Sequence, residues 1–281
     1  MSTYYGVPLQ RSAPLRLDAH PDRPTAEGWR EWVALQTRPI AVDLFAGAGG
    51  LSLGLEAAGY RVALAVDVNQ WALETHRHNF PGLALDLDLG DPVARAHVVN
   101  MLDGVSVDLV AGGPPCQPYS RAGRSKIRNL VALGTRHAVD HRRELWKAFL
   151  DVVVRVRPRA VLMENVPDMA LGDDMAVLRS MMSTLEAAGY EVDAALVNAP
   201  DYGVPQHRQR LILVGLQACG AFSWPARSQQ QITLKDAIGD LPSIDSARGE
   251  TGHVETAYAG ATSDFQKRAR ARCTGPNKSV V

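Results

Sequence analysis

Cys116 lies in VAGGPPCQPYS (110–120), with two prolines directly before it and a third at 118. Proline fixes φ and stiffens the backbone, so the segment reads as a rigid loop that presents a thiol. A thiolate held this way is a nucleophile. The plain alternative is a buried small hydrophobe, the common fate of a free cysteine. Met163-Glu164-Asn165-Val166 closes an apolar run. A carboxylate at that point is costly to bury unless it is paired or works as an acid or base; the alternative is a capping or ion-paired Glu. In GVPQHRQRLILVG (203–215), Gln206, Arg208 and Arg210 alternate. Read as one strand, period two turns all three to one face, which suits a polar substrate or an anion. The alternative is an edge strand with solvated charges. His207 falls on the other face and is given no role.

A second group of residues points to a bound small molecule. Asp43-Leu-Phe-Ala-Gly-Ala-Gly-Gly50 follows an apolar run and precedes a helical one. Glycines allow close approach of backbone to a ligand, and a helix N-terminus offers free N–H groups. The first strand-to-helix turn is where open α/β sheets bind cofactors. The spacing is not G-x-G-x-x-G, so it does not name the ligand. Asp67, about 20 residues on, stands where a carboxylate holds a ribose diol in such sites; the alternative is a turn glycine cluster beside an unrelated surface Asp.

These residues need a scaffold, and the pattern around them supplies one. IAVDLFAG and RVALAVDV read as strands, LSLGLEAAGY and QWALETHRHNF as helices, the former closed by Gly59. VDLVAGGPP is a further strand. RELWKAFLDVVVRV is a helix stopped by Pro158, RAVLMENVP a strand and MAVLRSMMSTLEAAGY a helix. EVDAALVNAP and RQRLILVGL are strands. Strands alternating with helices imply βαβ units and a mostly parallel, doubly wound α/β sheet of the Rossmann-like kind. LEAAGY occurs at 55–60 and again at 185–190, each copy before an apolar strand; this is one local solution used twice. Residues 1–39 hold five prolines and one expected helix, Ala26–Gln36, with Thr25 as its N-cap. TLKDAIGDLP (233–242) reads as a short helix. Residues 243–281 show little periodicity and close on a basic stretch, QKRARARCTGPNKSVV, with no element expected after it.

Composition narrows the classes. The 281 residues carry 30 basic and 30 acidic side chains, so bulk charge is not what brings this chain to nucleic acid. The segment 121–143 nonetheless holds seven Lys or Arg against one acid, Asp140, and could close over phosphates or be a solvated loop. Three cysteines, 116, 219 and 273, form no metal or disulfide spacing, which points to reduced thiols and a cytosolic setting; the latter two are read as inert. No apolar run approaches the roughly 18 to 20 residues of a membrane span, and no metal is expected.

DLFAGAGGLSLGLEAAGY, GGPPCQPYS, ENV and QHRQR, in that order, strongly resemble the C5-cytosine DNA methyltransferases, over about residues 40–242. The resemblance implies a catalytic domain binding S-adenosylmethionine and releasing S-adenosylhomocysteine. Phe45, Ala46, Gly47, Ala48, Gly49, Gly50 and Leu51 would hold the methionine and adenosine portions, and Asp67 the ribose. Val68 takes the place where the family often has an aromatic residue beside the adenine. Asp88, with Leu89, would contact the adenine, with Asp86 as a rival; Pro115 and Leu145 match further cofactor contacts. Cys116 would attack cytosine C6. Glu164 would hydrogen-bond or protonate the ring edge, Asn165 would hold the Glu164 loop, and Arg210, with Arg208 as a second candidate, would steer the base. A target inside a duplex has to be flipped out to reach the thiol.

The resemblance also implies features not seen in these 281 residues: a variable target-recognition region and a final asparagine-bearing motif. Residues 243–281 are expected to begin the small recognition domain. The expectation is a fragment, or one subunit of a split enzyme completed by a second polypeptide. The expected partner is double-stranded DNA, in a bacterial restriction–modification setting and in the cytoplasm. The competing readings are a tRNA cytosine-5 methyltransferase and a non-catalytic regulatory or DNA-binding subunit of the same fold.

Overall fold

Ile40-Ala-Val-Asp-Leu44 is buried at every position, a pattern that requires a strand covered on both faces. In a computed structural model of the chain it is the central strand, β3. The structure describes residues 3–4, 7–8, 17–115, 144–171, 175–217, 222–241, 255–258, 260–271 and 278–280. It divides into two units, one of residues 1–195 and 211–222, the other of residues 196–210 and 223–281.

After a two-stranded ribbon, β1 (Thr3–Tyr4) with β2 (Val7–Pro8), and helix α1 (Trp29–Ala34), the chain enters the main sheet. Its strands are β3 (Ile40–Leu44), β4 (Arg61–Asp67), β5 (Leu83–Asp86), β6 (Leu109–Gly112), β7 (Ala160–Asn165), β8 (Tyr190–Asn198) and β9 (Gln209–Gln217). The order is β5-β4-β3-β6-β7-β9-β8. Pairs from β5 through β7 are parallel, and β9 runs antiparallel to β7. The chain therefore winds outward from β3 to β5, returns to the centre at β6, and winds outward the other way. That reversal makes the ends of β3 and β6 a topological switch point, where such sheets hold ligands.

Helices α2 (Gly50–Ala57), α3 (Gln70–Asn79), α4 (Pro92–Leu102), α5 (Leu145–Val156), α6 (Asp168–Leu171) and α7 (Ala176–Ala187) connect or follow these strands. Strand periodicity sorts the core. Ala41 packs with Leu55 of α2, Val62 and Leu109. Val42 and Leu44 belong to the larger cluster with Phe149 and Val153 of α5. Trp29 anchors α1 there and donates its indole N–H to the Ala63 carbonyl at 2.8 Å.

The expected sheet and the strand–helix alternation are present, with additions and corrections. β5 and α4 are additional elements. β5 is only four residues long, and α4 has little amphipathic contrast to announce it; its start is set by Asp91, whose side chain caps Val93 N–H, and by Pro92 at the first helical position. The first helix begins at Trp29 rather than Ala26, because Thr25 Oγ1 accepts from Gly28 N–H at 3.1 Å and caps a turn there.

The second unit holds α8 (Leu234–Ile238), α9 (Asp264–Arg270) and a ribbon of β10 (Glu255–Ala257) with β11 (Lys278–Val280). The basic stretch is thus not elementless. Its residues 266–270 form most of α9, which a Ser263–Gln266 capping box starts. Gln266 is buried, and Arg270 pairs with the buried Asp240 at 2.9 Å.

Candidate functional site

β3 delivers its last residue into a left-handed turn. Phe45 has φ 60°, a conformation a bulky residue rarely adopts, and Gly47 and Gly49 follow at 56° and 96°. A Cβ on Gly47 would meet nothing within 4 Å, so this side of the loop is open space. Gly49 caps α2 without any side-chain cap, leaving the first amides of the helix to a ligand or to solvent. Ala48 and Gly50 are exposed, Leu51 is half-buried and Ala46 is buried. Asp67, at the end of the adjacent β4, accepts Gly47 N–H through Oδ2 and Asn69 N–H through Oδ1, both at 2.8 Å. A carboxylate has about four acceptor positions, so Asp67 braces the loop and keeps acceptor capacity. Val68 is 66% exposed at the lip beside it.

Beneath the loop lies a cluster to whose members the sequence alone assigns no role, although Asp43 and Ser52 fall in the glycine motif. Asp43, Ser52 and His76 are each fully buried. Ser52 Oγ lies 2.6 Å from Asp43 Oδ2 and 3.0 Å from His76 Nε2. Burial pushes the Asp43 carboxyl up to about 7, against the pull of its Ser52 hydrogen bonds and with a further push from Asp67. Burial also holds His76 down at about 4, aided by the charges of Arg77 and Arg23. Asp43 Oδ1 and His76 Nδ1 have no hydrogen-bond partner. A Cβ on Gly49 would come within 2.3 Å of the Phe80 ring and 2.9 Å of the His76 ring; the His76 and Phe80 rings themselves stack at 4.5 Å. The available signal in sequence was helical spacing alone: Ser52 and His76 each lie three residues from a buried leucine, Leu55 and Leu73.

β6 ends beside β3, and its exit, Gly113-Pro114-Pro115, leads toward Cys116. Cys116 and the basic segment 121–143 lie outside the described residues, as do Cys219 and Cys273. Asn165, at the end of β7, is 2% exposed. Its Nδ2 donates to the Pro114 carbonyl at 2.9 Å and its Oδ1 accepts from Val166 N–H at 2.9 Å. The carboxylate of Glu164 is half-buried, and a Cβ on Gly113 would stand 3.4 Å from its Oε2. The Glu164 carboxylate thus lies beside the loop at Gly113.

Asp88, Gly90, Arg95, Leu145, Lys147 and Asp151 help line a cleft of about 460 Å³. The structure thus brings together Asp88 and Leu145, which are far apart in sequence. Leu89, between Asp88 and Gly90, turns into the core. Asp86 pairs in register with Asp67 and is exposed. Pro115 is half-buried.

Arg208 and Arg210 belong to the second unit. Arg208 N–H donates to Asn198 Oδ1 at 3.3 Å, and Arg210 Nη1 donates to the Gln209 carbonyl at 2.7 Å. The strand starts only at Gln209. Gln206 lies in a bend and Arg208 between that bend and the strand, so of the three only Arg210 is a strand residue.

Among the described residues there is no cluster of His, Cys, Asp or Glu that could hold a metal, and no helix long and apolar enough to cross a membrane. The chain is 37% identical over 220 residues to the type II methyltransferase M.XorII of Xanthomonas oryzae pv. oryzae, covering 75% of this chain and 48% of that one. It is 34% identical over 207 residues to the type II methyltransferase M1.HphI of Haemophilus parahaemolyticus, covering 73% and 53%. The chain therefore spans about half the length of the curated relatives it matches. The crystal structure of a prophage-encoded E. coli chain assigned as a DNA modification methyltransferase superposes with a TM-score of 0.64 at 26% identity, covering 82% of this chain and 63% of that one. The model of the C-5 cytosine-specific DNA methylase family matches residues 40–279, and the chain belongs to that family.

Proposed function

We propose that this chain is the catalytic portion of an enzyme that moves a methyl group from S-adenosylmethionine to C5 of cytosine in DNA. The observation that carries the reading is the stitching of three strand ends at the switch point. Asn165 ties the end of β7 to the Pro114 carbonyl, the Glu164 carboxylate lies beside Gly113, and the glycine loop opens beside them from β3. The cofactor fits what is there: an open flank at Gly47, an uncapped helix start at Gly49, and an acceptor at Asp67.

In this reading Phe45 to Leu51 hold the methionine and adenosine portions, Asp67 the ribose, Val68, Asp88 and Leu89 the adenine side, and Pro115 and Leu145 make further cofactor contacts. When bound, the cofactor supplies an electrophilic methyl group on a sulfonium sulfur. Cytosine C5 is too weak a nucleophile to take it unaided. The Cys116 thiolate spends its electron pair on a bond to C6, which displaces the C5–C6 π pair toward C4 and N3 and leaves an enamine that is nucleophilic at C5. Glu164 stabilises that electron density by hydrogen-bonding or protonating N3. After methylation the C5 proton leaves to a base and the S–C6 bond breaks, restoring the ring and the thiolate. Asn165 holds the loop that carries Cys116 against the Glu164 strand. Arg210, and Arg208 as the second candidate, steer the base. Target recognition belongs to a region carried either by a longer form of this polypeptide or by a second one, and the basic segment 121–143 serves the phosphates of flipped-out DNA.

Duplex DNA containing 5-fluorocytosine tests this directly. Fluorine at C5 cannot leave as the proton does, so wild-type protein with cofactor and a completing partner should form an adduct that survives denaturation. Cys116→Ser should form none. An adduct with tRNA and none with DNA would replace the substrate, and no adduct with either would favour a binding subunit.

A further inference from the structure

The buried Asp43, Ser52 and His76 take no part in the chemistry above, yet they sit directly under the loop that would hold the cofactor. Ser52 has one proton and two neighbours, so the chain of three has two consistent arrangements. With Asp43 ionised, Ser52 donates to the carboxylate and His76 Nε2–H donates to Ser52. With Asp43 protonated, the carboxyl donates to Ser52, Ser52 donates to His76 Nε2, and the imidazole proton moves to Nδ1. One proton at Asp43 reverses the whole chain. Asp43 Oδ1 and His76 Nδ1 are both without a partner, and the Ser52 hydrogen bonds that favour the ionised carboxyl are opposed by its burial. A charge placed nearby decides between them.

We propose that Asp43, Ser52 and His76 are a proton-holding support beneath the glycine loop, whose charge state is coupled to occupancy of the site above by a cationic cofactor. The proposal rests on the reading that this loop binds S-adenosylmethionine. Its mechanical link is Gly49, whose backbone packs so closely on His76 and Phe80 that a single added carbon would overlap them. The electrostatic link is the sulfonium, which S-adenosylmethionine carries and S-adenosylhomocysteine lacks. A positive charge over the loop favours the ionised carboxylate; the neutral thioether does not. Other charged groups act on the cluster. Asp67 on β4 disfavours the Asp43 anion, while Arg77 on α3 and Arg23 on the segment before α1 disfavour a charged imidazole. The proton is therefore exchanged at Asp43, with His76 changing tautomer rather than charge. The result is a support that favours the substrate form of the cofactor over the spent form.

Two measurements on the full chain test this. Calorimetric titration at pH 6.5, in buffers of different ionisation enthalpy, counts protons linked to binding. Wild type should release roughly half a proton or more per S-adenosylmethionine bound, Asp43→Asn close to none, and S-adenosylhomocysteine should release fewer from wild type. The second measurement needs no variant. Nitrogen chemical shifts of the His76 ring should move from the Nδ1–H to the Nε2–H tautomer when S-adenosylmethionine binds, and not with S-adenosylhomocysteine. Binding with no tautomer change, or with the same proton count in wild type and Asp43→Asn, overturns the proposal and leaves the cofactor reading standing. No binding of either ligand overturns both.

Discussion

Replacing Asp43 by Asn should cost this protein less as pH rises. In the fold the carboxyl titrates at about 7, against 3.8 when unperturbed. Because the folded value is the higher one, stability linked to this group is fully present below 3.8 and is lost as pH rises through 7. A proton is worth about 1.36 kcal/mol per pH unit. Allowing for half-titration at pH 7, wild type loses about 2 kcal/mol through Asp43 between pH 5 and 7. His76 has the opposite sign. Its folded value of about 4 lies below 6.5, so its contribution is present above 6.5 and is lost as pH falls through 4. Between those limits folding moves one proton from imidazole to carboxyl, and the two slopes nearly cancel in wild type. Removing one partner uncovers the other. In urea unfolding at half-unit steps from pH 5 to 7, the stability gap between Asp43→Asn and wild type should narrow by about 2 kcal/mol. The gap for His76→Gln should widen by a similar amount. A gap that stays constant with pH for both variants refutes the reasoning.

Three further outcomes follow from the geometry. Gly49→Ala combines a φ of 96° with overlap on Phe80 and His76, and should cost about 2 kcal/mol or more together with cofactor binding, read by thermal shift with and without S-adenosylmethionine. Asn165→Ala leaves the Pro114 carbonyl without its buried donor. It should cost about 1–3 kcal/mol and slow adduct formation on 5-fluorocytosine DNA while leaving the cofactor Kd near wild type. In the second unit, Gln266→Ala strips the acceptor from Thr262 and Ser263 N–H, at 2.7 and 3.0 Å, and should lower that unit's stability by about 1–3 kcal/mol, seen as faster local hydrogen exchange.

How much the bare chain reveals differs from element to element. Largely apolar strands such as Ile40–Leu44, leading into a glycine turn, announce a buried parallel sheet because only that arrangement covers both faces. The cysteine loop, the Glu164-Asn165 strand end and the glycine turn stand out because their residue types are poor choices for a plain core or surface. The four-residue β5 escapes because so short a run carries no period of its own. At 206–210 the strand is shorter than the alternation suggests, starting only at Gln209 after a bend at 205–206. The helix at 264–270 escapes because a partner that fixes it, Asp240 beside Arg270, lies 30 residues away.

Residue type and local spacing thus determine which side chains can do chemistry and which segments become strands or helices, since both depend on neighbours along the chain. The tertiary structure alone decides what those side chains meet. Asn165 reaches Pro114 across 51 residues, and Ser52 joins Asp43 to a histidine 24 residues beyond it. Burial, hydrogen-bond partners and protonation are properties of distance in space, and that distance exists only once the sheet has brought the ends of β3, β4, β6 and β7 side by side.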